Sequence, residues 1–271
     1  TMEKSGIEGE GRIFKNANEA IEAYERRELT LHARIALPAK SLKYKMFTDE
    51  QKEMYLVTTV GKLIFNEVLP EGFQYINEPT DDNFENLTPM KYFLPRGTNI
   101  PEAIKEMPLV KPFPQGALKS IIAQIFKRYK TTETSIMLDR LKDLGFKYST
   151  LAGISISIAD VETSEHKEEI VAKSQKVVDT INKQYRRGLI TDRERYEKVC
   201  EVWNQATSEV EKELKAKVEA PSDNPIMMMM NSKARGNLSQ FRQLAGMRGL
   251  LAKPNGEAVE IPVTSSFIDG L

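Results

Sequence analysis

Residues 170–214 read IVAKSQKVVDTINKQYRRGLITDRERYEKVCEVWNQATSEVEKEL, two apolar runs at helical spacing with a break between them. Ile170, Ser174, Val177, Ile181 and Tyr185 follow a seam of about 3.5 residues, the repeat of a coiled coil. Tyr196, Val199, Trp203, Ala206, Val210 and Leu214 follow a second. Gly188 can take the left-handed position that ends the first helix. Thr191 with Glu194 forms a Thr-x-x-Glu capping box that opens the next. The stretch spells an antiparallel coiled-coil hairpin. At about 1.5 Å per residue each arm is roughly 35 Å long, too long to be buried throughout, so the hairpin is expected to project. Projection favours a docking surface over a plain strut. Arg186 and Arg187 make the tip basic, with Asp192 and Glu194 across it, and these four are the candidate docking residues.

Upstream, 116–129 (Leu118, Ile121, Ile122, Ile125, Phe126) and 132–144 (Ile136, Met137, Leu141) read as two helices with a short link, a packed pair. Residues 71–115 hold seven prolines, from Pro79 to Pro114, and read as irregular chain with one short helix after Pro101. Before them, 29–37 and 55–60 read as strands. Thr48 to Gln51 is a capping box for a short helix, and Pro70 ends an amphipathic helix that follows Gly61. Residues 17–27 have weak helical spacing. The expected fold class is α+β: a small β-containing region over 1–115, a helical pair and connector over 116–160, the hairpin over 161–220 and a basic segment over 221–271.

Bulk composition excludes more than it assigns. Lys+Arg and Asp+Glu both count 39 in 271 residues, so any electrostatic role rests on local clusters. One cysteine, Cys200, rules out a disulfide framework and a cysteine-built zinc site, and His32 and His166 lie far apart. No apolar run reaches the roughly 18 residues of a membrane span, and no signal peptide precedes the first elements, which reads as a cytoplasmic protein. Thr1 ahead of Met2, and the run SFIDGL at 266–271, lack the polar character of natural termini. A piece of a longer chain is expected.

Catalytic motifs are missing. There is no phosphate-binding loop, nucleophile elbow, His-Glu-x-x-His or Asp-x-Asp-x-Asp cluster. Asp81-Asp82 and Glu168-Glu169 sit among polar residues and read as solvated faces. His32 reads as structural, Cys200 as a small hydrophobe beside the seam and Trp203 as core. The methionine run 227–230 reads as core or interface packing rather than an adaptable binding surface. One segment stands apart. Residues 224–256 carry Lys233, Arg235, Arg242, Arg248 and Lys253, with acids confined to positions beyond it. Folded compactly these five would make a positive patch. Interleaved glycines suit close approach to phosphate, though a solvated helix face accounts for the pattern equally well.

The string NSKARGNLSQFRQLAGMRGLL (231–251), with Pro254, Gly256, Glu260-Ile261-Pro262 and Ser266-Phe267, resembles the F-loop of the β′ subunit family of bacterial RNA polymerase, just ahead of its bridge helix. Three other stretches agree in order. GEGRIFKNANEAIEAY with LHARI (9–35) resembles the segment after the β′ catalytic barrel. TTVGKLIFNEVLPEGFQYIN (58–77) resembles the pore region, and YRRGLITDRERYEKVCEVW (185–203) the tip and second arm of the rim helices. The resemblance covers essentially the whole chain and is of Gram-positive type.

The resemblance implies that the catalytic Mg²⁺ is held outside this chain, by an aspartate motif that precedes it, so no cofactor and no catalytic residue are expected here. It implies a wall of the secondary channel through which nucleoside triphosphates enter, with Arg235 near their phosphates. Lys233, Gly236, Arg242, Gln243 and Met247 would support the active site through the bridge helix. Gre-type cleavage factors would dock on the hairpin. The implied partners are the remainder of β′ with β, α, ω and sigma, with DNA and RNA bound only in the assembled enzyme and no membrane. Departures are Lys233 where the family usually has glycine, Ser157 and Ala159 for a glycine and an acid, and Ile268-Asp269 for Arg-Glu before Gly270-Leu271. From the residues alone, a free-standing coiled-coil adaptor and a nucleic-acid-binding module through 231–253 are the alternatives.

Overall fold

The computed structural model describes residues 1–220, 222 and 224–270, so Leu271 of the final segment lies outside the described residues. The chain forms two compact units, one ending at Gly153 and one starting at Ile154. The first contains α1 (Ala17–Glu25), β1 (Arg34–Pro38), α2 (Asp49–Lys52), β2 (Tyr55–Thr59), α3 (Val60–Val68), α4 (Asp81–Glu85), β3 (Phe93–Leu94), α5 (Ile100–Glu106) and α6 (Gln115–Ala152). The second contains α7 (Lys167–Arg186), α8 (Asp192–Glu219), α9 (Pro225–Asn231) and α10 (Leu238–Ala245). A small sheet followed by helices is the α+β class expected.

In the first unit β2 is the central strand, antiparallel to β1 (Arg34 opposite Thr59) and to β3 (Leu56 opposite Phe93). The first strand is shorter than its pattern suggested. Residues 29–32 are irregular, Ala33 makes an isolated parallel bridge to Lys4, and pairing with β2 starts at Arg34. Leu29 is buried by core packing rather than by a ladder, so its side chain mimics strand alternation. Thr48 and Gln51 form the expected reciprocal cap. The proline-rich stretch also holds α4 and β3, which carry too few residues for a detectable period.

The two helices expected at 116–129 and 132–144 run together as α6 across a break at Lys130 (φ 62°, ψ −158°). Ile121 and Ile125 before the break and Met137 after it join one core with Phe65, Phe73 and Phe113. The second segment continues past 144 to Ala152 because nothing there breaks a helix until Gly153 takes φ 54°.

The motif at 58–77 forms a buried polar lattice. Asn66 Nδ2 donates to the Lys62 and Ile76 carbonyls, and its Oδ1 accepts the Ile76 amide. Asn83 Oδ1 accepts the amides of Asn77 and Glu78, and its Nδ2 donates to the Tyr75 carbonyl. Thr58 Oγ1 donates to Asn77 Oδ1 at 2.9 Å and lies 2.8 Å from the Tyr75 hydroxyl. Each buried amide therefore satisfies backbone groups that the irregular chain leaves without ladder partners. Burial holds the Tyr75 phenol protonated well above its ordinary range.

In the second unit α7 and α8 pack antiparallel through Val178, Ile181, Val199, Trp203 and Ala206. They are about 30 and 42 Å long. The seam on α8 follows the sequence reading from Val199 and extends to Val218, while Tyr196, read as its first member, is half-buried and bonds the Ala258 backbone. On α7 it is shifted: Val178 is buried while Val177 is 44% exposed. The order Val171, Ser174, Val178, Ile181 keeps strict 3,4 steps, which hold a seam toward one partner. The lower part of α8 is covered by the chain that follows. Val210, Leu214 and Val218 pack with Ile226, Met227, Phe241, Ala245 and Met247. Among the described residues no helix is long and apolar enough to cross a membrane.

Candidate functional site: a basic loop beside a helical hairpin

The loop is set by the two short helices around it. Asn224 caps α9 by accepting the Ile226 and Met227 amides, and Asn237 caps α10 by accepting the Gln240 amide. At the end of α9 the Lys233 amide donates to the Met230 carbonyl and the Ala234 amide to that of Met229. That pair of bonds is a Schellman motif with Lys233 at its left-handed position (φ 57°). A Cβ costs about 1–2 kcal/mol in this conformation, which glycine would avoid. Lys233→Gly is expected to raise the stability of the chain by about 1 kcal/mol in urea titration. An unchanged or lower midpoint would remove strain at Lys233 from the account.

Of the five basic residues, only Lys233 and Arg235 share this exposed loop. The single patch suggested by the composition is not formed, because Arg242 and Arg248 are part-buried with contacts of their own and the exposed Lys253 is paired with an acid. Arg242 Nη1 donates to the Met247 and Arg248 carbonyls at 2.9 and 3.1 Å. Its Nε is 3.2 Å from a Glu211 carboxylate oxygen, close enough to pair but not aligned as a hydrogen bond. Arg248 lies 5.0 Å over the Phe267 ring, and Lys253 pairs with Glu257. Met247 is fully buried, and the Gln243 carbonyl accepts the Phe267 amide.

Gly236 has φ 80° with only Met230 near its missing Cβ, so it frees the backbone beside Arg235. Gly246 serves packing instead. A Cβ there would come within 2.8 Å of Val210 and 2.9 Å of Leu214, so the glycine lets α10 lie against α8.

At the hairpin tip Gly188 takes φ 72° as expected, and Arg186 and Arg187 are exposed. The two acids are engaged. Glu194 accepts the Thr191 amide and hydroxyl, which hold its carboxyl below the usual range. Asp192 pairs with Arg195 at 2.9 Å. Arg195, which the sequence pattern did not single out, and Tyr196, which it read as a seam residue, hold the segment near Glu260 against α8. Their partners lie more than sixty positions away, beyond the reach of local spacing. The base of the hairpin is closed by Lys167 paired with Asp269, whose carboxyl is held at about 2 by that lysine and by the Ser266 amide.

The remaining candidates are structural. His32 Nδ1 lies 3.1 Å from the Met2 carbonyl, and Trp203 is core. In the methionine run Met227 is buried and Met228 exposed. Asp81-Asp82 and Glu168-Glu169 are exposed in the first turns of α4 and α7, where carboxylates favour the helix dipole. Among the described residues no group of three or more His, Cys, Asp or Glu is placed to hold a metal ion.

Comparison with known proteins identifies the family. Residues 1–161 match the family model RNA polymerase Rpb1, domain 3, and residues 190–268 match RNA polymerase Rpb1, domain 4. Over all 271 residues the chain is 54% identical to DNA-directed RNA polymerase subunit beta′ of Geobacillus kaustophilus (strain HTA426). It is 54% identical to that of Enterococcus faecalis (strain ATCC 700802 / V583) and 52% to that of Halalkalibacterium halodurans. The chain spans 22% of the length of each of these relatives. With the domain 3 match alone taking in more than half of it, and β′ likeness along its full length, the chain belongs to the RNA polymerase Rpb1 family in its bacterial β′ form.

Proposed function

We propose that this chain forms part of the wall of the nucleotide-entry channel of bacterial RNA polymerase, with Arg235 as its contact to nucleotide phosphate. The observation that carries the reading is the loop itself. Arg235 is exposed between left-handed Lys233 and Gly236, on a loop capped at both ends and backed by the α8–α10 core. A guanidinium so placed offers forked donors to phosphate oxygens from a backbone that is already ordered. Lys233 and Gly236 shape the loop, while Arg242, Gln243 and Met247 hold its position.

Catalysis and Mg²⁺ binding belong, on this reading, to residues outside the chain. The remainder of β′, together with β, α, ω and sigma, completes the enzyme and its DNA and RNA paths in the cytoplasm. In a polymerase assembled with full-length β′, Arg235→Ala is expected to raise the nucleotide KM about tenfold with a smaller change in kcat, the mark of lost binding. Unchanged KM and kcat would take Arg235 out of the nucleotide path.

A second role follows from the exposed arginines of the tip. Arg186 and Arg187 fit the carboxylates of a Gre-type factor, whereas Asp192 and Glu194 are already engaged by Arg195 and Thr191. Arg186→Glu combined with Arg187→Glu is expected to weaken factor response about tenfold or more while elongation without factor continues. A full response from this variant would sink the docking role. The alternative of a free-standing adaptor loses ground because the lower part of α8 is covered by its own chain. A separate nucleic-acid module loses ground because the basic residues are dispersed.

A further inference from the structure

The hairpin tip and the basic loop are joined by a two-stranded ribbon. Gly249 and Val263 exchange both backbone hydrogen bonds, at 3.0 and 2.9 Å. Further along, the Val259 amide donates to the Leu251 carbonyl and the Lys253 amide to the Glu257 carbonyl, both at 2.7 Å. Ala258, opposite Ala252, sits between those two bonds, so its own N–H and C=O face away from the partner strand. Both are satisfied by one side chain of α8. The Ala258 amide donates to the Tyr196 hydroxyl oxygen, and that hydroxyl donates to the Ala258 carbonyl, each at 3.0 Å. Tyr196 thus closes an edge that would otherwise be left open.

Two residues further on, Arg195 clamps Glu260 with two parallel bonds of 2.6 and 2.9 Å. The same guanidinium donates from Nε to Asp192 at 3.0 Å and lies 5.4 Å over the Tyr185 ring. The last turn of α7, the first turn of α8 and the ribbon therefore meet on one side chain that is only 16% exposed. At its other end the ribbon touches α8 again, where a Cβ on Gly249 would come within 2.9 Å of Thr207. There Arg242 of α10 bonds the carbonyls of Met247 and Arg248. From Arg195 to Thr207 the ribbon follows α8 for about 18 Å.

We infer that Arg195 and Tyr196 are positioning residues. They hold the far end of the ribbon on the hairpin tip and, through its near end and Arg242, set the placement of α10 and the loop bearing Arg235. A partner that offers a carboxylate to Arg195 displaces Glu260 and frees the ribbon, so an event at the tip reaches the basic loop. The physical basis is one element bonded at both ends, with a clamped and a released state. Only the effect on nucleotide use rests on the function proposed above.

The test is hydrogen exchange on polymerase assembled with full-length β′, alongside nucleotide kinetics. Arg195→Ala and the milder Tyr196→Phe are expected to speed exchange over 257–263 by about tenfold, and over 238–247 by about threefold. Both should raise KM more than they lower kcat. Arg195→Lys, which keeps charge without the fork, falls between. Unchanged exchange over 257–263 in both alanine and phenylalanine variants overturns the positioning role. Faster exchange there with 238–247 unmoved overturns the coupling. Faster exchange in both segments with KM unmoved supports the coupling and overturns instead the nucleotide role of Arg235.

Discussion

Glu3→Ala is expected to cost the first unit about 3–5 kcal/mol, because it strands a buried ammonium without its counter-ion. Lys62 is fully buried and its Nζ lies 2.5 Å from a Glu3 carboxylate oxygen, itself only 5% exposed. The second Glu3 oxygen accepts the Val110 amide at 2.8 Å, so the variant also orphans a backbone donor. Burial pulls the Lys62 pKa below 10.5, and Glu3 is the main influence opposing that fall. Removing Glu3 lowers it further. The unfolded chain then binds a proton that the folded chain lacks, up to pH 10.5, so the variant regains stability as pH rises toward that value. Replacing both partners by apolar residues, Glu3→Leu with Lys62→Met, removes the stranded charge and should cost less, about 1–3 kcal/mol, because the Val110 amide still loses its acceptor. Urea titration of the three chains at neutral and alkaline pH measures this. A loss under about 1 kcal/mol for Glu3→Ala would mean that water reaches Lys62.

Trp203→Ala should cost the second unit a similar amount, about 3–5 kcal/mol, as expected for truncating a large buried aromatic. The indole is 3% exposed and fills the middle of the α7–α8 seam with Val178, Ile181, Val199 and Ala206. Leu250, at the foot of the ribbon, packs on the same cluster, so the cavity loosens the ribbon as well as the arms. Trp203→Phe keeps much of the volume and should lose less than half as much. Circular dichroism of both variants during urea unfolding decides the point. Equal stability of alanine variant and parent would mean that the seam does not depend on its largest member.

The contrast between the two units shows where local reading stops. The hairpin was legible because its signals are local: a 3,4 seam, a glycine at φ 72° and a Thr-x-x-Glu cap all lie within a few residues of one another. Val177 was read for Val178 because two adjacent valines satisfy nearly the same spacing, and Tyr185, read as the last seam residue of the first arm, is 42% exposed. In the first unit the asparagines 66, 77 and 83 hold the irregular chain, yet as sequence nothing sets them apart from ordinary polar residues of a helix or loop. Their role depends on which carbonyls the fold brings to them.

The basic loop divides in the same way. Arg235, Gly236 and Lys233 were legible as basic residues beside a glycine, since charge and backbone freedom belong to the residues themselves. The sequence by itself determined the hairpin and its turn, the capping boxes, the family and the absence of a self-contained catalytic motif, all properties of neighbours along the chain. Only the tertiary structure decided that the five basic residues part company, that Asp192 and Glu194 are engaged at the tip, and that Arg195 and Tyr196 tether a ribbon. Those outcomes follow from contacts such as Arg242 with Glu211 and Arg195 with Glu260, between residues 31 and 65 positions apart. Spacing along a sequence carries no information about such distances, because folding sets them through packing of the whole core.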